Sequence, residues 1–201
     1  MNLIGSKTIK TKRLILRRPR MEEQKRLWEI LMLPQVNKWY LTSAKKNANN
    51  KEYWTWKVQE EFYKTKVDNA NNDDVFGWSI FLKREYTNSG KEEVIGQITA
   101  QETENDITIR DVGWYIDPIY QKKGYGLEAG AAMIEYMFKK VKIKKIESSA
   151  VKDNVGSCKI FEKLGFKKTS EFIMQSPYTF YDGKLTFSKY ELDSETYIRN
   201  N

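Results

Sequence analysis

The sequence predicts an α+β fold with α/β/α layering, in which about four helices pack on a mixed, mostly antiparallel sheet of about seven strands. Three observations predict it. Three strand-like runs follow one another between residues 76 and 116, as in an antiparallel meander. A long helical pattern comes next, at Leu127–Val141. The chain then passes through strand, helix and terminal hairpin. At 201 residues, 40% of them hydrophobic, it suits one domain, 1–201, with a substantial core.

The elements follow in order. Leu14-Ile15-Leu16-Arg17 reads as a first strand. Met21–Leu33 carries a helical stripe of Leu27, Trp28, Ile30 and Leu31, and Pro34 ends it. Ser43–Asn50 is a polar loop. Lys51–Lys66 forms a second helix with Trp54, Val58 and Phe62 spaced four apart. Phe76–Leu82 and Val94–Ala100 are strands joined through the turn-prone Thr87-Asn88-Ser89-Gly90. Ile107–Ile116, rich in β-branched and aromatic residues, is the third strand of the meander. In the helix Leu127–Val141 one face holds Leu127, Ala131, Ile134, Phe138 and Val141. Lys145–Val151 is a strand. Val155–Leu164 is a short helix with Gly165 at a C-cap position. Lys168–Gln175 and Leu185–Leu192 flank Tyr181-Asp182-Gly183-Lys184, where Asp-Gly signals a hairpin turn.

Composition narrows the chemistry. The single cysteine, Cys158, cannot close an internal disulfide, which fits a reducing cytoplasm. No run of about 18 apolar residues exists, and the N-terminus lacks the apolar segment of a secretory signal. Histidine is absent, so proton transfer falls to carboxylates, hydroxyls, water or backbone groups. The net charge of +8 is spread along the chain. The densest cluster, Lys139 to Lys145, fits a solvated helix end better than a nucleic-acid patch. No metal site is expected.

The most informative segment is Val112–Gly126. A strand ends at Asp117-Pro118, a Gln121-Lys122-Lys123-Gly124-Tyr125-Gly126 loop follows, and a helix begins at about Leu127. The first turn of a helix offers free N–H groups and the positive end of the macrodipole. Gly124 and Gly126 let the backbone approach a phosphate closely, and Lys122 and Lys123 add charge. A second motif lies downstream. Asn154-x-x-Ser157 precedes Phe161-Glu162-Lys163-Leu164-Gly165-Phe166, and Asn154 stands where an N-cap belongs.

Gln121-x-x-Gly124-x-Gly126 after Asp-Pro resembles the acetyl-CoA signature of the GCN5-related N-acetyltransferases (GNAT). The closer likeness is to the ribosomal-protein-alanine and small-amine branch (RimJ/RimL-like). Asn154-x-x-Ser157 with the KLGF ending, the opening Thr11–Arg17 and Pro34–Trp39 also resemble that branch. The resemblance implies a sheet splayed at its fourth and fifth strands by a bulge. The pantetheine arm of acetyl-CoA would pair there with the backbone of Trp114, Tyr115 and Ile116. It implies cofactor contacts at Gln121, Lys122, Lys123, Gly124, Tyr125, Gly126, Leu127, Asn154, Ser157 and Phe161.

Acetyl transfer needs a neutral amine, whereas amines are mostly protonated at pH 7. Asp111 matches the position of a glutamate in the resembled branch. It fits either the base or a solvent-facing carboxylate beside Arg110. Ser157 would protonate the leaving thiolate, since Phe161 stands where many relatives have a tyrosine. Gly113 leaves room for the acetyl group or is a strand irregularity. The resemblance implies that acceptors are selected where Trp39, Tyr40, Trp54, Tyr178 and Tyr181 lie, and these aromatics fit either a pocket lining or the core and its rim. The expected partners are acetyl-CoA and an amine, either a protein N-terminus such as a ribosomal one or a small molecule, on a monomer or homodimer. An acyl-CoA-binding regulatory module without turnover is the alternative.

Overall fold

The computed structural model describes residues 1–39, 52–103, 106–175 and 184–200. Its strands are β1 (Ile9–Lys10), β2 (Leu14–Arg17), β3 (Phe76–Leu82), β4 (Glu93–Glu102), β5 (Ile109–Ile116), β6 (Lys145–Val151), β7 (Lys167–Gln175) and β8 (Lys184–Asp193). Its helices are α1 (Met21–Met32), α2 (Pro34–Asn37), α3 (Trp56–Asn69), α4 (Tyr125–Tyr136), α5 (Val155–Lys163) and α6 (Ser194–Asn200). The strands form one sheet in the order β1-β2-β3-β4-β5-β6-β8-β7. Every neighbouring pair is antiparallel except β5–β6.

One face of the sheet packs against α4 and α5 around Trp78, Ile80, Ile98, Met133, Ile134 and Tyr190, all nearly inaccessible. The other face takes α1, whose Leu27, Ile30 and Leu31 join Val36 of α2 and Tyr115 of β5. The sheet is therefore sandwiched, as the pattern of elements predicts. Gly96 holds the β4–β5 seam closed. A Cβ there would lie 2.1 Å from the Tyr115 carbonyl oxygen, so no side chain fits.

The parallel pair departs from regular sheet. β5 pairs with β6 only through Ile109–Lys145, Arg110–Ile146 and Asp111–Glu147. Beyond Asp111 the two strands part, which is the expected splay. The expected bulge in β5 is absent, because its register against β4 runs without a break from Arg110 to Ile116. The irregularity lies in β4 instead, where the register against β3 slips between Ile80 and Phe81, leaving Ile95 as the extra residue.

Several expectations need correction. α3 begins at Trp56, and its buried residues are Gln59 and Tyr63. Val58 and Phe62 face out, at 43% and 61% exposure. The apolar spacing misplaces this face because the inner side mixes Gln59 with Trp56 and Tyr63, which lie on a different stripe from Val58 and Phe62. In α4 the buried face holds Ala129, Gly130, Met133 and Ile134, while Ala131 is exposed. The chain continues α4 as a wider π-helical turn, Met137–Val141, stopped by Lys142 in the left-handed region. Strand β1 and helices α2 and α6 are additional short elements. Asp182-Gly183 lies outside the described residues.

Candidate active site

The gap between β5 and β6 organises the site. Odd-numbered residues of β5 turn their backbone groups toward β4, since Asp117 continues that edge by donating to the Ile95 carbonyl at 2.7 Å. Val112, Trp114 and Ile116 therefore turn theirs into the gap. Two of these peptides are capped by side chains. The Ser148 hydroxyl donates to the Val112 carbonyl at 2.6 Å, and Gln121 Nε2 to the Ile116 carbonyl at 2.8 Å. Trp114 sits between them with no partner strand on that side. Its N–H and C=O form a short stretch of open sheet edge, the feature an extended ligand with amides can pair with.

The loop 121–124 stands at the mouth of this gap. Lys122 and Gly124 both have left-handed backbone, with φ of 60° and 82°. Gly124 is the N-cap of α4. Arg13 secures the loop from β2's entry by donating through Nη1 to the Lys123 carbonyl at 2.9 Å. Its guanidinium lies 4.4 Å above the Tyr125 ring and pairs with Glu128 through Nε at 2.6 Å. Glu128, in the first turn of α4, also accepts from Thr11 and from the Arg13 N–H. Lys122 and Lys123 are exposed beside this tethered turn.

Gly126 lies in the first turn of α4. A Cβ there would meet the Trp114 indole at 3.4 Å and Ile160 at 3.5 Å. These are ordinary contact distances, so Gly126 faces β5 and α5 while its N–H belongs to the first turn of α4. Leu127 is half-buried in the same first turn.

On the other bank stands α5. Asn154 caps it, accepting from the Ser157 N–H at 3.3 Å. The Ser157 hydroxyl has no hydrogen-bond partner among the described residues. Phe161 is buried at 4%, between Trp114, Phe166 and Tyr190 at 5.0 to 5.2 Å. It therefore supports the wall behind Trp114 and offers little surface to a ligand.

Asp111, Gly113 and Tyr115 project toward the α1 side of the sheet. Asp111 lines a cleft of about 300 Å³ with Gln101, Glu147, Ser149 and Lys189. The side chain is exposed at the cleft's rim, yet partial desolvation by the surrounding cleft pushes its carboxyl up to about 6, and the neighbouring Glu147 adds repulsion. Arg110 does not pair with it. That side chain turns to the opposite face, 2% exposed, and lies over Phe76. Asp111 is solvent-exposed at the rim of the cleft, as the alternative to a base expects, although Arg110 turns away from it.

The segment after α1 roofs the gap on this side. Val36 packs against Tyr115 on the β5 bank, and Trp39 against Val151, Leu185 and Phe187 on the β6 bank. Trp54 lies farther along, its ring 5.0 Å from Tyr53. Tyr40, Tyr178 and Tyr181 fall outside the described residues. Sequence reading missed Arg13, Glu128 and Glu147. An acidic residue in a first helical turn was a signal for Glu128, but its pairing with Arg13 spans the fold and leaves no local trace. Among the described residues no cluster of carboxylates and thiols could hold a metal ion. No helix among them is long and apolar enough to cross a membrane.

The chain matches the acetyltransferase (GNAT) domain over residues 13–167 and belongs to that family. It is 28% identical over 113 residues to the uncharacterised N-acetyltransferase YnaD of Bacillus subtilis, covering 56% of this chain and 62% of YnaD. The chain thus spans about three fifths of the length of the curated relatives it matches. The ribosomal-protein-S5-alanine acetyltransferase of Vibrio fischeri superposes with a TM-score of 0.74 at 16% identity, over 94% of this chain and 98% of its own. The spermidine N-acetyltransferase of Vibrio cholerae, solved with CoA and spermine, superposes at 0.75 and 13% identity, over 94% and 99%. At such identities these two likenesses concern the fold.

Proposed function

We propose that this protein is an acetyl-CoA-dependent N-acetyltransferase that moves the acetyl group directly to a primary amine, on a protein N-terminus or a small molecule. The observation that carries this reading is the open Trp114 peptide between two capped neighbours, with the glycine turn at one end and Asp111 at the other. The free N–H groups at the start of α4, with Lys122 and Lys123, suit a pyrophosphate. The Trp114 backbone groups suit the amides of a pantetheine arm. A fixed N–H on this edge stabilises the thioester oxygen most as it gains charge.

Asp111 takes a proton from the amine, whose nitrogen then bonds to the thioester carbon. Its raised pKa suits that task, since a base works best when its pKa lies near the working pH. The carbon–sulfur bond breaks as the nitrogen loses its remaining extra proton, and the free Ser157 hydroxyl relays a proton to the departing thiolate and is replenished by that one. Cys158 has no part, as its thiol is directed at the Val151 and Lys152 carbonyls. Proximity of the two substrates in one cleft supplies much of the rate.

The test is a pH–rate profile of Asp111→Asn against the wild type across a panel of amines and N-terminal peptides. Wild-type kcat/KM should rise through about pH 6 as Asp111 loses its proton. The variant should be slower by about a hundredfold at neutral pH and recover toward pH 9, where free amine is abundant. Acetyl-CoA affinity should not change. Profiles that overlay would remove Asp111 from the reaction.

A further inference from the structure

A second polar group lies on the same face as Asp111, beneath α3. Gln97 of β4 stands opposite Tyr115 of β5 and is 3% exposed. Its Oε1 accepts from Lys66 Nζ at 3.0 Å and from the Tyr115 hydroxyl at 3.5 Å. This fixes which way the amide points, because an ammonium has no lone pair to receive an N–H. The amide nitrogen is consequently turned away, buried and without a partner among the described residues.

Lys66 has no carboxylate within ion-pair distance among the described residues, and Gln97 is the one hydrogen-bond acceptor it reaches there. The Tyr63 ring lies 5.5 Å from its Nζ. An ammonium held over a neutral acceptor and a buried amide donor with nothing to bond are both costly arrangements. Burial brings the Lys66 ammonium down to about 8, so it still carries charge at neutral pH. Lys66 Nζ and the unpartnered Gln97 Nε2 are two donors on one short stretch, and a carboxylate has two oxygens to accept from them.

Their position relative to the cleft sets the geometry of the ligand. Gln97 and Tyr115 stand one side-chain step along the strands from Gly113, about 7 Å. Gly113 has no side chain to obstruct that step, and its cross-strand partner is Thr99. Gly113, Tyr115 and Gln97 thus lie on one face of the sheet, with the Lys66–Gln97 donors at its α3 end.

We propose that Lys66 and Gln97 form a carboxylate-binding subsite that selects acceptor amines bearing an acidic group about 7 Å from the reacting nitrogen. An N-terminal peptide with an acidic second residue has that form, and a polyamine does not. This inference rests on the placement of the acceptor over Asp111 and Gly113 under the proposed function.

The experiment compares three acceptors, Ala-Asp-Ala-Ala amide, Ala-Asn-Ala-Ala amide and spermidine, on wild type, Lys66→Met and Lys66→Arg. Wild type should show the lowest KM for the aspartyl peptide. Lys66→Met should raise that KM by about tenfold or more while kcat stays unchanged. The asparaginyl peptide and spermidine should be unaffected, and Lys66→Arg should keep most of the preference. The Tm of Lys66→Met should not fall, since it removes an unpaired buried charge. Equal KM values for the two peptides on wild type would overturn the subsite. So would a Lys66→Met enzyme with a lowered Tm and equal losses for all three acceptors. Calorimetric titration of the peptides onto CoA-bound protein separates this inference from the one beneath it. Binding that favours aspartate and depends on Lys66, without turnover of any amine, would sink the transferase reading alone. Turnover without that preference would sink the subsite alone.

Discussion

The two halves of β5 make an instructive pair. Ile109–Asp111 is held on both edges, by β4 and by β6. Val112–Ile116 is held on one edge only, and side chains cap the exposed carbonyls on either side of Trp114. The closed half gives rigidity and sets Asp111 against Glu147. The open half leaves one peptide whose polar groups must be satisfied by something other than sheet. A fold that keeps its β4 seam perfectly registered while opening its β6 seam confines the irregularity to the place where a ligand can use it.

The closed seam should be the more fragile. Gly96→Val drives a branched side chain into the Tyr115 carbonyl, where a Cβ alone would sit 2.1 Å away. Neither strand can retreat without breaking the ladder. The expected loss exceeds about 4 kcal/mol, enough to abolish cooperative folding. Urea denaturation followed by tryptophan fluorescence checks this, and a native-like midpoint would show that the seam is not tight.

The mouth of the open half should lose binding first and stability second. Gly124→Val places a branched residue at φ of 82°, costing roughly 1–2 kcal/mol in the folded state. Its Cβ would point at the Arg13 guanidinium, 3.3 Å away. Displacing the turn should weaken acetyl-CoA binding by about tenfold to a hundredfold, as expected for losing one charge-assisted hydrogen bond. Calorimetry on the folded variant measures it. Gly126→Val would be a poorer probe, since that residue packs against Trp114 and Ile160 and would disturb the core as well.

Smaller still is the effect of Asp111 on stability. Its folded-state pKa is raised, so the folded protein holds that proton more firmly than the unfolded chain. Ionisation therefore removes stability as pH climbs from about 4 to about 6, and the cost is complete above that window. Asp111→Asn should accordingly melt slightly higher than wild type at pH 7.5 and equally near pH 4. A variant that melts lower at pH 7.5 would mean the carboxylate is stabilised in place.

Much of this layout was legible in the residues. Leu14–Arg17 and Lys145–Val151 form strands with the bounds their patterns predict. Asn154 caps its helix, and Gly165 follows it with φ of 86°. These are local matters, settled by period, capping and turn chemistry. The failures share a different cause. The inner face of α3 mixes Trp56 and Tyr63 with Gln59, which donates to the Tyr53 carbonyl, and Lys66, which reaches Gln97. A count of apolar residues turns such a helix inside out. The same holds for Arg13, whose partners lie at residues 123 and 128. Pairings made by the fold across more than a hundred positions leave nothing for local spacing to detect. Gly126 is a further case, since its neighbours Trp114 and Ile160 come from two other elements.

Amide hydrogen exchange at Trp114 tests the central claim most directly. That N–H faces the gap without a partner strand, while its neighbours Gly113 and Tyr115 are turned into the β4 ladder. In free protein Trp114 should exchange much faster than Gly113 and Tyr115. Saturating acetyl-CoA should slow it by about tenfold or more, as expected when an amide gains a hydrogen bond in a closed site, and leave the other two unchanged. A Trp114 amide already protected in the free protein, or one indifferent to acetyl-CoA that binds elsewhere, would contradict the open edge as the cofactor's place.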